Sequence, residues 1–208
     1  MDKRTDTAKA ALKIQEALLA LKDLGFPRQQ INERSALTLL SLLHLKPDSS
    51  WIDARNPLMG ITPMMEFFAE HYGKRYAPNS RETVRRQTVH QFVQAAFVIT
   101  NPDMPSRPTN SPKAVYQIEP SALKLLQEFG KKEWDRKLKK YFGSVVMLKS
   151  LYAREREMRR IPATLHNGEE IRLSPGGQNV LVKKILDDFC SLFTPAGKVV
   201  YVGDTEKK

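Results

Sequence analysis

The chain has 208 residues, enough for one ordinary domain with a full hydrophobic core or for a smaller domain and part of a second. Lys and Arg number 34 against 23 Asp and Glu, a formal charge of +11 with a sequence pI near 9.8, which points to a polyanionic partner such as nucleic acid or an anionic membrane surface and says little about fold. The lone cysteine, Cys190, excludes an intramolecular disulfide and a cysteine-based zinc site; no stretch approaches the roughly 18 apolar residues of a membrane span, and the start MDKRTDTAKAALKIQ is no secretory signal, so a soluble cytoplasmic protein is expected.

The first predicted element is a helix from Thr5 to Leu24, with Ala8, Ala11, Leu12, Leu18, Leu19 and Leu21 at helical spacing and Gly25 and Pro27 as its stop. Asn32 caps a second helix through Leu45, whose leucines 37, 39, 40, 42 and 43 cover most of the circumference and place it in the centre of a core. A third runs from Thr62 as N-cap, with Pro63 at its first position, to Gly73, turning Met65 and Phe68 inward. A fourth begins at Asn79, with Glu82 three residues on as a capping box, and runs to about Ala96. Short strands at Phe97–Ile99 and Val115–Ile118 flank a loop holding Pro102, Pro105, Pro108 and Pro112, and a helix from Pro120 closes at Gly130.

Residues 131 to 160 read as a highly charged helical connector, interrupted near Gly143, whose Lys and Arg would be costly to bury. A hairpin follows, Ile161–Leu165 and Glu170–Leu173 about an Asn167-Gly168 turn. Beyond Ser174–Gly177 come a helix through Phe193 and a strand from Lys198 to Val202, the opening of an α/β unit. The predicted fold class is mainly α: a winged helix-turn-helix domain at 1–130, the basic connector at 131–160, and an incomplete α/β core at 161–208.

The charge is localised. Residues 74 to 86 carry +4 and residues 131 to 160 carry +7, which together make up the whole excess. Advancing 100° per residue along the fourth helix puts Val84, Thr88, Val89, Phe92, Val93 and Ala95 on one face, and Asn79, Thr83, Arg86, Gln87, His90 and Gln94 on the other. A helix of this kind fits a major groove, where Arg86 suits guanine O6 and N7 while Asn79 or Gln87 suits adenine N6 and N7. Asn79, Thr83, Arg86, Gln87 and His90 are the candidate base readers. Lys74, Arg75, Arg81 and Arg85, with Arg107 and Lys113 in the wing loop, are candidates for phosphates, which fix position without reading sequence.

Several blocks together resemble one family: NERSALTLLSLL at 32–43, GITPMMEFFAEHYGKRYAPNSRETVRRQTVHQF at 60–92, SRPTNSPKAVYQIEP at 106–120, YAREREMRRIPATL at 152–165, LSPGGQNVLVKKI at 173–185 and VVYVGDT at 199–205. They resemble the BsuBI/PstI type II restriction endonucleases over nearly the whole chain. The resemblance implies an N-terminal helix-turn-helix domain joined to a PD-(D/E)XK nuclease domain that cuts duplex DNA at a palindrome, CTGCAG for the founding members, with Mg²⁺. It also implies a homodimer in the full enzyme, because protein symmetry mirrors site symmetry.

Such a nuclease needs carboxylates on its second and third core strands to hold Mg²⁺ at the scissile phosphate, with a lysine beside them. Those residues do not occur here. Pro47-Asp48 and Pro102-Asp103 lie in loops, Glu206-Lys207-Lys208 lies at the terminus, and Asp204 is at most a peripheral member of the active site. The expectation is therefore DNA binding without cleavage, with no metal bound by these 208 residues. Two other readings stay open: a winged-helix transcription regulator, which leaves residues 161–202 without a purpose, and a nonspecific nucleic-acid binder, which predicts steep salt dependence and little sequence preference.

Overall fold

The computed structural model describes residues 3–108, 111–145, 160–165, 167–173, 177–194, 197–200 and 202. They divide into two compact units, one formed by residues 1–102 with 115–149 and the other by 103–114 with 150–208.

The first unit is helical. α1 spans Lys3–Asp23, α2 Glu33–Leu42 and α3 Ile61–Tyr72, with single 3₁₀ turns at Arg28–Gln30 and Trp51–Asp53. α2 is the centre of the core: every residue from Ser35 to Leu42 is buried, and Asn32 caps its start by accepting from the Ser35 N–H at 3.0 Å. The cap satisfies one of the amides that a helix start leaves without a partner.

α1 forms where expected, but its buried face is Ala10, Ile14, Ala17, Ala20 and Leu21, while Leu12 and Leu19 are 65% and 54% exposed. The reason is steric. α1 packs on α2, and a row of alanines admits a neighbouring backbone more closely than leucines do.

α3 starts two residues earlier than expected. Gly60 is its N-cap, Ile61 is buried, and Thr62 and Pro63 sit exposed in the first turn. Burial of Ile61 draws the start forward, and Pro63 is tolerated because first-turn residues have no intrahelical N–H bond to lose. Met64 and Phe68, rather than Met65 and Phe68, are the fully buried pair. Gly73, at φ +65°, ends the helix as expected, and the Lys74 amide returns to the Phe68 carbonyl.

Ser80–Val84, Arg85–Val89 and His90–Gln94 then run on as one helix, α4, whose middle segment is π: the His90 N–H donates to the Arg85 carbonyl five residues back. β1 (Val98–Thr100) and β2 (Tyr116–Ile118) pair antiparallel, Ile99 opposite Gln117, and Met59 adds a bridge to Tyr116 on the other side. α5 (Pro120–Leu126) is capped by the Glu119 carboxylate, which accepts from the amides of Ser121 and Ala122.

The first part of the charged segment is anchored rather than free. Residues 134–145 form α6, continuous through Gly143. Trp134 and Tyr141, seven residues apart and so on one face, are each 7% exposed; the Trp134 indole donates to Asp23 of α1 at 2.9 Å and its ring meets Phe129 edge-on. Two aromatic side chains suffice to dock a helix whose opposite face is charged.

In the second unit β3 (Ile161–Thr164) and β4 (Glu170–Leu173) form the expected hairpin, with Gly168 at φ +81° in its turn. α7 comprises Gly177–Lys184, a π segment Ile185–Cys190 and Ser191–Phe193, and packs against β3. The expected strand from Lys198 to Val202 does not appear among the described residues: 197–200 and 202 carry no ladder pairing, and Val200 is 91% exposed. A strand exists only by hydrogen bonding to a neighbour, and the described residues provide none.

Candidate nucleic-acid interface

The candidate surface is built from its buried side outward. Val84, Thr88, Val89 and Phe92 of α4 are without exposure, and the Phe92 ring lies 5.0 Å from Phe26 and 5.6 Å from Phe97. Thr88 accepts a hydrogen bond from Arg34 Nε of α2 at 3.0 Å, which fixes the rotation of α4 about its own axis. Before the helix, Lys74 pairs with Glu33 at the start of α2 at 2.6 Å, and Tyr76 packs edge-on against Phe68. The α3–α4 turn is thus tied to the core at both ends.

The wheel therefore places the front of α4 as the sequence predicts. Asn79, Arg86, Gln87 and His90 are exposed and Thr83 is half-buried, all on the side away from Val84 and Phe92. His90 and Gln94 hydrogen-bond to each other at 3.1 Å along the same face.

The capping box does not form. Asn79 has helical backbone angles (φ −61°, ψ −24°) and makes no side-chain cap bond, because the turn already closes through the Pro78 and Ala77 carbonyls. Glu82 is consequently free of that role and binds two arginines: Arg85, through both of its carboxylate oxygens, and Arg86. Hydrogen bonds from Arg85 first and Arg86 second pull its carboxyl down to about 2, so it stays an anion throughout the range in which the protein would be handled.

The phosphate candidates divide. Arg75 is exposed, Lys74 is half-exposed and held by Glu33, Arg81 is half-buried, and the Arg85 side chain is 27% exposed. Arg107 and Lys113 lie in the second unit, where Arg107 forks onto Asp103 and Lys113 is exposed. Asp204 falls outside the described residues.

Two residues that the sequence reading passed over frame this face. Tyr116 of β2 faces Arg85 and Arg81; burial raises its hydroxyl pKa, against the opposing pull of the two arginines. Arg34 holds Thr88. Both contacts span 30 residues or more of sequence, and a helical wheel has no access to partners at that range. At its far end α4 borders a hollow of about 450 Å³ lined by Gln91, Gln94, Phe26, Phe97, Tyr141 and Phe142.

Residues 11–150 match the BsuBI/PstI restriction endonuclease HTH domain, and residues 161–208 match the BsuBI/PstI restriction endonuclease domain. The chain belongs to the BsuBI/PstI restriction endonuclease family. It is 49% identical to the type II restriction enzyme BsuBI of Bacillus subtilis over 195 residues, 94% of this chain and 62% of that enzyme. It is 37% identical to the type II restriction enzyme AplI of Arthrospira platensis, over 91% of this chain and 58% of the relative.

Among solved structures it is similar to the SdaI restriction endonuclease, with a TM-score of 0.60 and 34% identity over 91% of this chain and 60% of that one. The chain thus spans about three-fifths of the length of these relatives. The match over 161–208 gives that segment the place which a regulator reading leaves empty.

Among the described residues no group of three or more His, Cys, Asp or Glu is placed to hold a metal. Nor is any described helix long and apolar enough to cross a membrane.

Proposed function

We propose that these 208 residues are the target-recognition part, with the first elements of the nuclease domain, of a cytoplasmic type II restriction endonuclease of a restriction-modification system, acting as a homodimer on palindromic duplex DNA of the CTGCAG type. The domain reading is a winged helix-turn-helix at 1–130, with β1, β2 and their connection as the wing, a basic connector at 131–160, and the start of a PD-(D/E)XK core at 161–208. What supports it is family membership together with one geometric observation: Asn79, Arg86, Gln87 and His90 stand exposed, and Thr83 half-exposed, on a helix whose back is locked into the core.

In this reading Arg86 donates to a guanine, Asn79 and Gln87 suit adenines, and Thr83 and His90 complete the face. Lys74, Arg75, Arg81, Arg85, Arg107 and Lys113 carry phosphates. Mg²⁺, as the family resemblance implies it, would supply Lewis-acid activation, with Asp204 at the margin of its site.

The test is equilibrium binding of the 208-residue protein to a CTGCAG duplex and to the same duplex with one base pair exchanged. The expected discrimination is about 10-fold to 100-fold for a single exchange, since a mismatched pair costs about 1–3 kcal/mol. Equal affinity for both duplexes, or cleavage by these 208 residues with Mg²⁺, would contradict the proposal.

A further inference from the structure

The pairing that replaces the capping box points to a role for Glu82 that rests on the α4 reading above. Two arginines, adjacent in sequence, stand at the front of α4, and one carboxylate a turn earlier binds both. Their exposures differ: the Arg86 side chain is 73% exposed, that of Arg85 only 27%, with Tyr116 beside it. Arg85 is therefore braced from below by the hairpin and from the side by Glu82, and Glu82 passes that order on to the projecting Arg86. An unheld arginine at this position would sample many rotamers and satisfy any phosphate it met, because nonspecific affinity follows the number of phosphates neutralised.

We infer that Glu82 is a specificity-determining positioning residue, which holds the Arg86 guanidinium ready for a base edge and keeps it from being claimed by the backbone of unrelated DNA. With Glu82 in place the trio carries one net positive charge; without it, two. The carboxylate is itself 47% exposed on the same face, so it also repels a phosphate that approaches out of register. Arg86 bound to a guanine keeps one edge of its fork for Glu82, whereas Arg86 bound to a phosphate would bring that phosphate against the carboxylate.

The experiment compares the wild-type chain, Glu82→Gln, Arg86→Ala and the double variant on three duplexes: CTGCAG, CTGCAG with one base pair exchanged, and an unrelated sequence. Glu82→Gln is expected to bind the unrelated duplex about tenfold more tightly at moderate salt, with a log–log salt slope steeper by about 1, the value for one further phosphate contact. Its ratio of matched to exchanged affinity is expected to fall about tenfold, and the substitution is expected to add no further loss of ratio when Arg86 is already Ala. Unchanged affinity and slope on the unrelated duplex overturn the inference, since a merely structural Glu82 would leave both alone. So does a loss confined to one C·G pair with no gain on unrelated DNA, which makes Glu82 itself a base reader. If Arg86→Ala retains full discrimination, the α4 reading fails; if Arg86→Ala loses it while Glu82→Gln behaves as wild type, only the Glu82 inference fails.

Discussion

α4 and α7 are of similar length and both contain a π segment, yet they present opposite faces to solvent. α4 turns Val84, Val89 and Phe92 into its own unit and shows Asn79, Arg86, Gln87 and His90. α7 packs against β3 with Asn179 buried, Ala163 and Leu173 of the hairpin are buried too, and α7 shows Leu181, Ile185, Phe189, Leu192 and Phe193, each at least 43% exposed. The first helix has its packing satisfied by residues 1–102 and 115–149; the second does not have it satisfied by the described residues of its unit. The contrast teaches that two helices of one chain differ in how much of it each needs to cover its apolar side. α4 has a local core behind it, whereas the described residues around α7 leave its apolar side chains uncovered.

The largest expected effect comes from the back of α4. Phe92→Ala empties the ring cluster with Phe26 and Phe97 and is expected to cost about 3–5 kcal/mol, enough to abolish DNA binding at 37 °C. Both tryptophans, Trp51 and Trp134, are buried in the first unit, so urea unfolding followed by their fluorescence reads that unit alone.

Next in size is Asn32→Ala, which removes the cap of the buried central helix and is expected to lower the same transition by about 1 kcal/mol without changing the ratio of matched to mismatched DNA affinity. The smallest effect is expected on α7: Phe189→Ser should leave the tryptophan transition within about 0.5 kcal/mol, leave DNA affinity unchanged and improve solubility. If Phe189→Ser costs the first unit as much as Phe92→Ala does, the contrast between the two helices is wrong.

Local signals were legible. Asn32 as a cap, Gly73 as a stop, the two hairpins and the Val84–Phe92 face of α4 each follow from backbone chemistry or side-chain periodicity within a few residues. What the sequence hid depends on partners elsewhere in the chain. Which side of α1 is buried depends on how close α2 can approach, which favoured alanines over leucines. Ile61 lengthened α3 because the core had room for it, and Trp134 docked a charged helix through one hydrogen bond to Asp23. The 198–202 segment had strand-forming residues and no strand to pair with among those described.

At the candidate interface, the exposed residues could be named from the wheel, but the bond from Glu82 to both arginines could not. The S/T/N-x-x-E pattern has two competing uses, and the helical angles at Asn79 decide against the cap.

The central claim is that the front of α4 reads bases in the major groove, and dimethyl sulfate probing of guanine N7 tests it most directly. With the wild-type chain bound to a CTGCAG duplex, guanine N7 is expected to be protected, and Arg86→Ala at saturating concentration is expected to lose protection at one guanine per half-site while the rest of the footprint stays. Protection unchanged by Arg86→Ala, or no guanine protection at saturation by the wild-type protein, would contradict it.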